Sequence, residues 1–310
     1  MTDQRPHIRV NVFPGGFNWP LYVAFDRGLF ARYGIKVSIL GTPNSIAQMT
    51  ELAQSQFEIA MTAVDNIVAY VEGQGEAPIG AQPEFFAFMG SDSGFLSLVS
   101  RPEIARVSDF AKRTVSVDAL TTGYAFVLLE ILRRNGLERG DYDVRRVGGM
   151  AQRFNSLRER NEDGTLLSAP YNILAKHCGL TELVKATAVL GSYQGNVAAT
   201  RRSWAQSNEP QVIAFIRGYH EAIAWLYEPA HREEAIGILM RNLPQMPRVV
   251  AEASHAELLS SADGFFRDCN ISLQGMKCVL ELRSRYGRGA QPLADPMKYC
   301  DLRYYRSAIG

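Results

Sequence analysis

The sequence predicts an α/β protein of two lobes. Each lobe is expected to be built on a mainly parallel sheet with helices on both faces, and a helical C-terminal region follows. Three observations predict this. Short β-branched runs alternate with amphipathic stretches through 8–99 and again through 113–190, and such alternation gives parallel sheets flanked by helices. After about residue 205 the alternation gives way to long helical periodicities. The length of 310 residues corresponds to roughly two domains at about 150 residues each.

The elements follow in order. Ile8, Val10 and Val12 alternate as a strand, and Pro14–Asn18 is a loop. Pro20 suits a first helical turn, and Leu21, Ala24, Phe25 and Leu29 share one face before Gly34 stops the helix. Ile35–Ile39 is a strand, Gly41–Ser45 a turn, and Ile46, Met49 and Leu52 a helix face. Phe57–Met61 is a strand, followed by a helix that stops near Gly73. Strands come next at Phe85–Met89 and Phe95–Val99.

The second set opens with Ser108 capping a short helix and a strand at Thr114–Val117. Tyr124, Val127, Leu128, Ile131 and Leu132 form a helix face that ends at Gly136. Val144 and Val147 mark a strand, Gly148-Gly149 leads into a helix, and Thr165–Leu167 is a strand. A helix from Pro170 and a strand at Ala186–Leu190 complete the set. Helices are then expected over Pro210–Tyr227 and near 230–241, 247–260 and 273–286. Two crossings, near Ser100 and Ser192, give lobe 1 as 1–99 plus 193–310 and lobe 2 as 100–192.

Composition excludes several classes. Hydrophobic residues are 46% and charged residues 21%, which suits a packed core. Lys and Arg number 33 against 32 Asp and Glu, a net charge of +1. A dedicated nucleic-acid binder needs a basic excess that is missing here. No run approaches about 18 apolar residues, so no membrane span is expected. The first ten residues lack the apolar stretch of a secretory signal. Either that segment has been removed and the protein is periplasmic, or it works in the cytoplasm. Cys178, Cys269, Cys278 and Cys300 show no C-x-x-C pair or zinc spacing, so reduced, buried thiols are expected.

Four loops share one design, an apolar strand followed by small polar residues and a helix start: Gly15–Trp19, Gly41–Ser45, Thr62–Asn66 and Thr121–Gly123. Each presents backbone N–H groups at the positive end of a helix, which suits a carboxylate, sulfonate or nitrate head group. Any one loop is ordinarily a cap, but four in corresponding places point to a shared cleft. Phe17 and Trp19 flank Asn18 in the Gly-rich loop, where a flat ligand could stack. Asp65 and Asp118 lie near strand C-termini as a cap, base or ligand contact. Arg153 and Arg158 are assigned to a solvated helix face, with an anion contact as the alternative. No G-x-S-x-G, H-E-x-x-H or P-loop pattern occurs, and no metal or cofactor is expected.

The run Phe17-Asn18-Trp19-Pro20-Leu21-Tyr22-Val23-Ala24, with Gly28-Leu29-Phe30 and Tyr33-Gly34-Ile35-Lys36-Val37, resembles the opening of a known family. It is the type II periplasmic-binding-protein-like family that handles nitrate, aliphatic sulfonates and thiamine pyrimidine precursors. Phe57–Met61, Val117-Asp118, Thr121-Thr122-Gly123 and the helix opened by Pro210 continue the likeness to about residue 230. The resemblance implies the two-lobed fold, with a ligand trapped by hinge closure. It would place Asn18, Trp19, Asn44, Asp65, Thr121 and Thr122 near the ligand, with Tyr171 and Tyr193 as further contacts. Phe17, Thr62 and Gly123 join them from the loop reading.

The family also contains enzymes, but the His, Cys-rich run and first-loop Cys that those imply are missing here. The primary expectation is a solute-binding protein of an ABC-type transporter with a permease as partner. It would trap a small organic anion or an aromatic or heterocyclic compound. A cytoplasmic decarboxylase or C–S/C–N lyase or hydrolase of the same fold, and a ligand-sensing regulator, are the alternatives. The upstream coding sequence and turnover of a bound compound discriminate among them.

Overall fold

A computed structural model describes residues 4–80, 83–289 and 291–310. The strands are β1 (His7–Val12), β2 (Lys36–Gly41), β3 (Ile59–Ala63), β4 (Phe85–Gly90), β5 (Ser97–Ser100), β6 (Thr114–Val117), β7 (Asp143–Arg146), β8 (Gly164–Leu167), β9 (Thr181–Lys185) and β10 (Asn196–Arg201). They form two five-stranded sheets, in the orders β2-β1-β3-β10-β4 and β7-β6-β8-β5-β9. β1 pairs parallel with β2 and β3, and β6 pairs parallel with β7 and β8.

Each sheet contains one antiparallel strand. β10 runs against β3 and β4, and β5 runs against β8 and β9. These are the strands that follow the two crossings. A chain arriving from the other lobe enters its new sheet at the cleft end, where the parallel strands finish, and so must run the opposite way. The sheets are therefore mixed, with the parallel part as expected.

The helices are α1 (Trp19–Asp26), α2 (Leu29–Arg32), α3 (Ser45–Ala53), α4 (Val64–Val71), α5 (Gly123–Arg134), α6 (Met150–Arg158), α7 (Tyr171–His177), α8 (Ala186–Leu190), α9 (Arg202–Ser207), α10 (Glu209–Leu226), α11 (Arg232–Asn242), α12 (Arg248–Leu258), α13 (Leu273–Tyr286) and α14 (Arg303–Ile309). α10 buries Val212, Phe215, Ile216, Tyr219 and Ile223 against α1 and α2, the face its periodicity defines. β4 lies at a sheet edge yet is buried throughout, because α14 and the turn at Pro296–Tyr299 cover it.

Two corrections concern the crossings. Phe95–Val99, expected with the first lobe, contributes β5 to the second sheet, so the first crossing lies at 91–96. Ala186–Leu190 is the helix α8 and not a strand. A short apolar run fits either state, and here Gly191 N–H donates to Thr187 O at 2.9 Å to close a turn. The neighbouring strands are β9 before it and β10 after it. The alanines of β10 carry little strand preference, and pairing on both edges holds it in the sheet.

One core cluster fills the first lobe around Trp19, Phe88, Phe215 and Tyr219. A second runs through both lobes and joins Val64 and Val68 to Phe126, Leu128 and Val279. α13 packs against α4 of the first lobe and α5 of the second. It is a strap along one flank of the cleft.

Candidate functional site

The two crossings are tied together by one buried carboxylate. Asp92, on the first crossing, accepts from the backbone N–H of Gly94 (2.8 Å) and Asn196 (3.1 Å) and from Asn196 Nδ2 at 3.1 Å. Burial raises its pKa above the ordinary carboxylate value, and these hydrogen bonds oppose the rise. Gly94 and Gly195 pass so closely that a Cβ on Gly195 would lie 2.1 Å from Gly94 N. The two crossings thus touch backbone to backbone.

Beside them a cavity of about 270 Å³ lies between the lobes. Segments from all four Gly/Thr/Ser/Asn loops line it: Phe13, Pro14 and Phe17 after β1, Thr42 and Pro43 after β2, and Ala63 and Asn66 at the end of β3. Lobe 2 adds Asp118, Thr122, Gly123 and Tyr124. A fifth segment, Gly149–Arg153 at the start of α6, completes the wall with Asn196. Phe13, Phe17, Pro43 and Met150 give the cavity flat, apolar surfaces.

Its polar groups are held from behind. Asn66 Nδ2 donates to Thr62 Oγ1 at 2.8 Å. Thr122 Oγ1 donates to Asp118 Oδ1 at 2.8 Å. Arg153 is 3% exposed. Its Nε donates to Gly148 O at 3.0 Å, and its Nη1 to Thr165 Oγ1 at 3.1 Å and Leu166 O at 2.6 Å. Burial lowers the Arg153 pKa while the nearby Asp118 charge raises it, and a guanidinium stays protonated under such pressure. Burial also pushes the Tyr124 phenol well above its ordinary value, and its hydroxyl has no hydrogen-bond partner among the described residues.

Of the residues singled out in the sequence, Phe17, Thr122 and Gly123 line this cavity. Asn44 and Thr62 stand one layer behind it. Asn44 caps α3 by accepting from Ala47 N–H at 2.9 Å, and Thr62 supports Asn66. Thr121 donates to Glu76 across the lobes at 2.6 Å. Tyr171 packs on Phe154 at 6.0 Å between ring centres. Tyr193 is buried beside Tyr124 and borders a second, open groove of about 950 Å³ on the other side of the crossings.

Four expectations are corrected. Trp19 is fully buried, with its Nε1 donating to Ala235 O at 3.0 Å and its ring edge-on to His255. It opens α1 and turns to the core side that α11 and α12 cover, so it does not line the cavity. Asn18 is buried too, donating to Phe13 O and Tyr22 Oη. Asp65 is sealed in an ion pair with Arg283, whose Nε lies 2.6 Å from Oδ1. Sequence reasoning placed Arg153 on a solvated face, whereas it is buried in the cavity wall. The signal was present: Gly148-Gly149 between a strand and a helix repeats the design of the other four loops.

Two lobes linked by crossing strands, with a cavity where their parallel strands end, define the two-lobed periplasmic-binding-protein fold. The chain belongs to the NMT1-like family, whose sequence profile matches residues 3–240. Its fold is shared by the periplasmic nitrate-binding protein NrtA of Synechocystis PCC 6803 (TM-score 0.81, 13% identity, 98% of this chain and 88% of that one). It is also shared by a ligand-binding component of an ABC-type import system from Staphylococcus aureus, solved with zinc bound (TM-score 0.78, 14% identity, 98% and 99%). The periplasmic aliphatic sulphonate binding protein SsuA of Escherichia coli is a third (TM-score 0.70, 17% identity, 89% and 85%). No curated protein sequence matches the chain.

Proposed function

We propose that the protein is the solute-binding component of an ABC-type import system. It holds a small organic anion, or an aromatic or heterocyclic compound bearing such a group, between its lobes. The observation that carries the reading is the interlobe cavity itself. It pairs flat apolar walls with a buried guanidinium, and its volume of about 270 Å³ equals about nine waters at about 30 Å³ each. That suits one ring with its head group. The solved proteins of this fold that bind nitrate and sulfonates support the same reading. Delivery to a permease would place the protein on the outer side of the cytoplasmic membrane.

Equilibrium dialysis of the purified protein against a mixture of aromatic carboxylates, alkanesulfonates and pyrimidines, read by mass spectrometry, tests this. One compound retained unchanged at one equivalent is the expected result. Retention of none overturns the reading, and conversion of the retained compound would make the protein an enzyme.

A further inference from the structure

The charges in the cavity wall constrain the ligand further. Arg153 and Asp118 are the two ionised residues among those lining it. Three of Arg153's hydrogen bonds go to neutral oxygens, so they orient the guanidinium without neutralising it. Among the described residues no carboxylate lies within 4 Å of it, and Nη2 has no protein partner. A buried cation of this kind is costly unless a counter-charge arrives. The α6 N-terminus, on the same wall, adds N–H groups that have no partner within the helix.

Asp118 acts in the opposite sense. One oxygen takes the Thr122 hydroxyl, and no cation pairs with the carboxylate within 4 Å among the described residues. A ligand charge that contacts Arg153 gains more than it loses to the more distant Asp118, because the interaction falls with separation. A second negative charge on the same head group doubles both the attraction to Arg153 and the repulsion from Asp118, while the cost of leaving water grows with the square of the charge, so the doubled repulsion from Asp118 weighs against a dianion.

We propose that the cavity selects a monoanion: Arg153 binds a carboxylate or sulfonate directly, and Asp118 rejects dianions such as phosphate monoesters. This rests on the reading of the interlobe cavity as the ligand site.

The test uses benzenesulfonate, benzoate, benzamide and phenyl phosphate as probes in calorimetric titrations at pH 7.5, where phenyl phosphate is largely a dianion. The wild type should bind benzenesulfonate or benzoate at least tenfold more tightly than phenyl phosphate or benzamide. Asp118→Asn should narrow the gap to phenyl phosphate by fivefold or more, and Asp118→Ser serves if that variant does not fold. Arg153→Met should lose at least tenfold for the monoanions, with Arg153→Lys losing less. Phenyl phosphate or benzamide binding within twofold of the monoanions overturns the proposal in the wild type alone. So does an unchanged ratio in the Asp118 variants, or full affinity in Arg153→Met. Binding of none of the four probes also overturns it, whereas the solute-binding reading stands or falls separately on the dialysis result.

Discussion

At the scale of single residues, identity and environment point different ways for Trp19 and Arg153. An indole beside a Gly-rich turn reads as a cleft residue, because local sequence reports the loop and not the direction in which the first helical turn faces. Packing against α11 and α12, more than 200 residues away in sequence, decides that direction. Trp19→Ala should therefore lower stability, by about 3–5 kcal/mol for a large buried aromatic, and chemical denaturation measures it. Unchanged stability would contradict the packing. Asp65→Asn should cost a similar amount, about 3–5 kcal/mol, because it leaves Arg283 charged and buried without its partner. Arg153 was legible as a basic residue on a helix. Its burial was not, since the contacts that enclose it come from Thr165 and Leu166 of β8.

At the scale of elements, the alternating strands and helices were readable from periodicity, and so were the four loops that converge on the cavity. The strap α13 was readable as a helix but not as a link between lobes, because its partners lie on α4 and α5. Its C-terminal end meets Glu130 of α5. That buried carboxylate accepts from Arg133, Arg134, Tyr286 and Arg285. Burial alone would raise its pKa, but these hydrogen bonds outweigh burial and hold it below the ordinary carboxylate range.

A depressed folded pKa stabilises fully above the unfolded value of about 4.3, and the contribution fades as pH falls toward the folded value. Glu130→Gln should thus cost about 1–3 kcal/mol at pH 7, with the difference from wild type shrinking below about pH 4. Urea titrations at pH 7 and pH 3.5 compare the two. At the mouth of α5, a Cβ on Gly123 would lie 2.4 Å from Asp65 Cβ. Gly123→Ala should therefore force the α4 and α5 ends apart, reducing both thermal stability and affinity for any cavity ligand. A variant with wild-type melting and binding would contradict that close approach.

At the scale of the whole molecule, the two lobes were legible from the restart of the alternation, but the first crossing was placed too late in the sequence, after β5 instead of before it. The mixed sheets were not legible, because the direction of β5 and β10 is set by where the chain re-enters each lobe. The flank opposite the α13 strap is tied more lightly. Gly16 N–H donates to Ala169 O at 3.0 Å, Asn172 Nδ2 to Glu257 Oε1 at 2.7 Å, and Lys185 Nζ to Asp263 at 2.8 Å. Of these three, only the half-exposed Lys185–Asp263 contact is an ion pair, and such a pair contributes little, about 0–1 kcal/mol; we therefore expect any opening toward a ligand on this flank. Hydrogen exchange should show the amide of Gly16 exchanging quickly in the free protein and slowly once the cavity is filled. Equal protection in both states would place the opening elsewhere.

Soaking crystals with 4-bromobenzoate and locating the bromine by anomalous scattering tests the ligand site most directly. The peak should fall between Phe13, Phe17 and Tyr124, with the carboxylate on Arg153. A peak in the open groove beside Lys185 and Asp263, or none at a concentration ten times the dissociation constant measured in solution, would contradict the account.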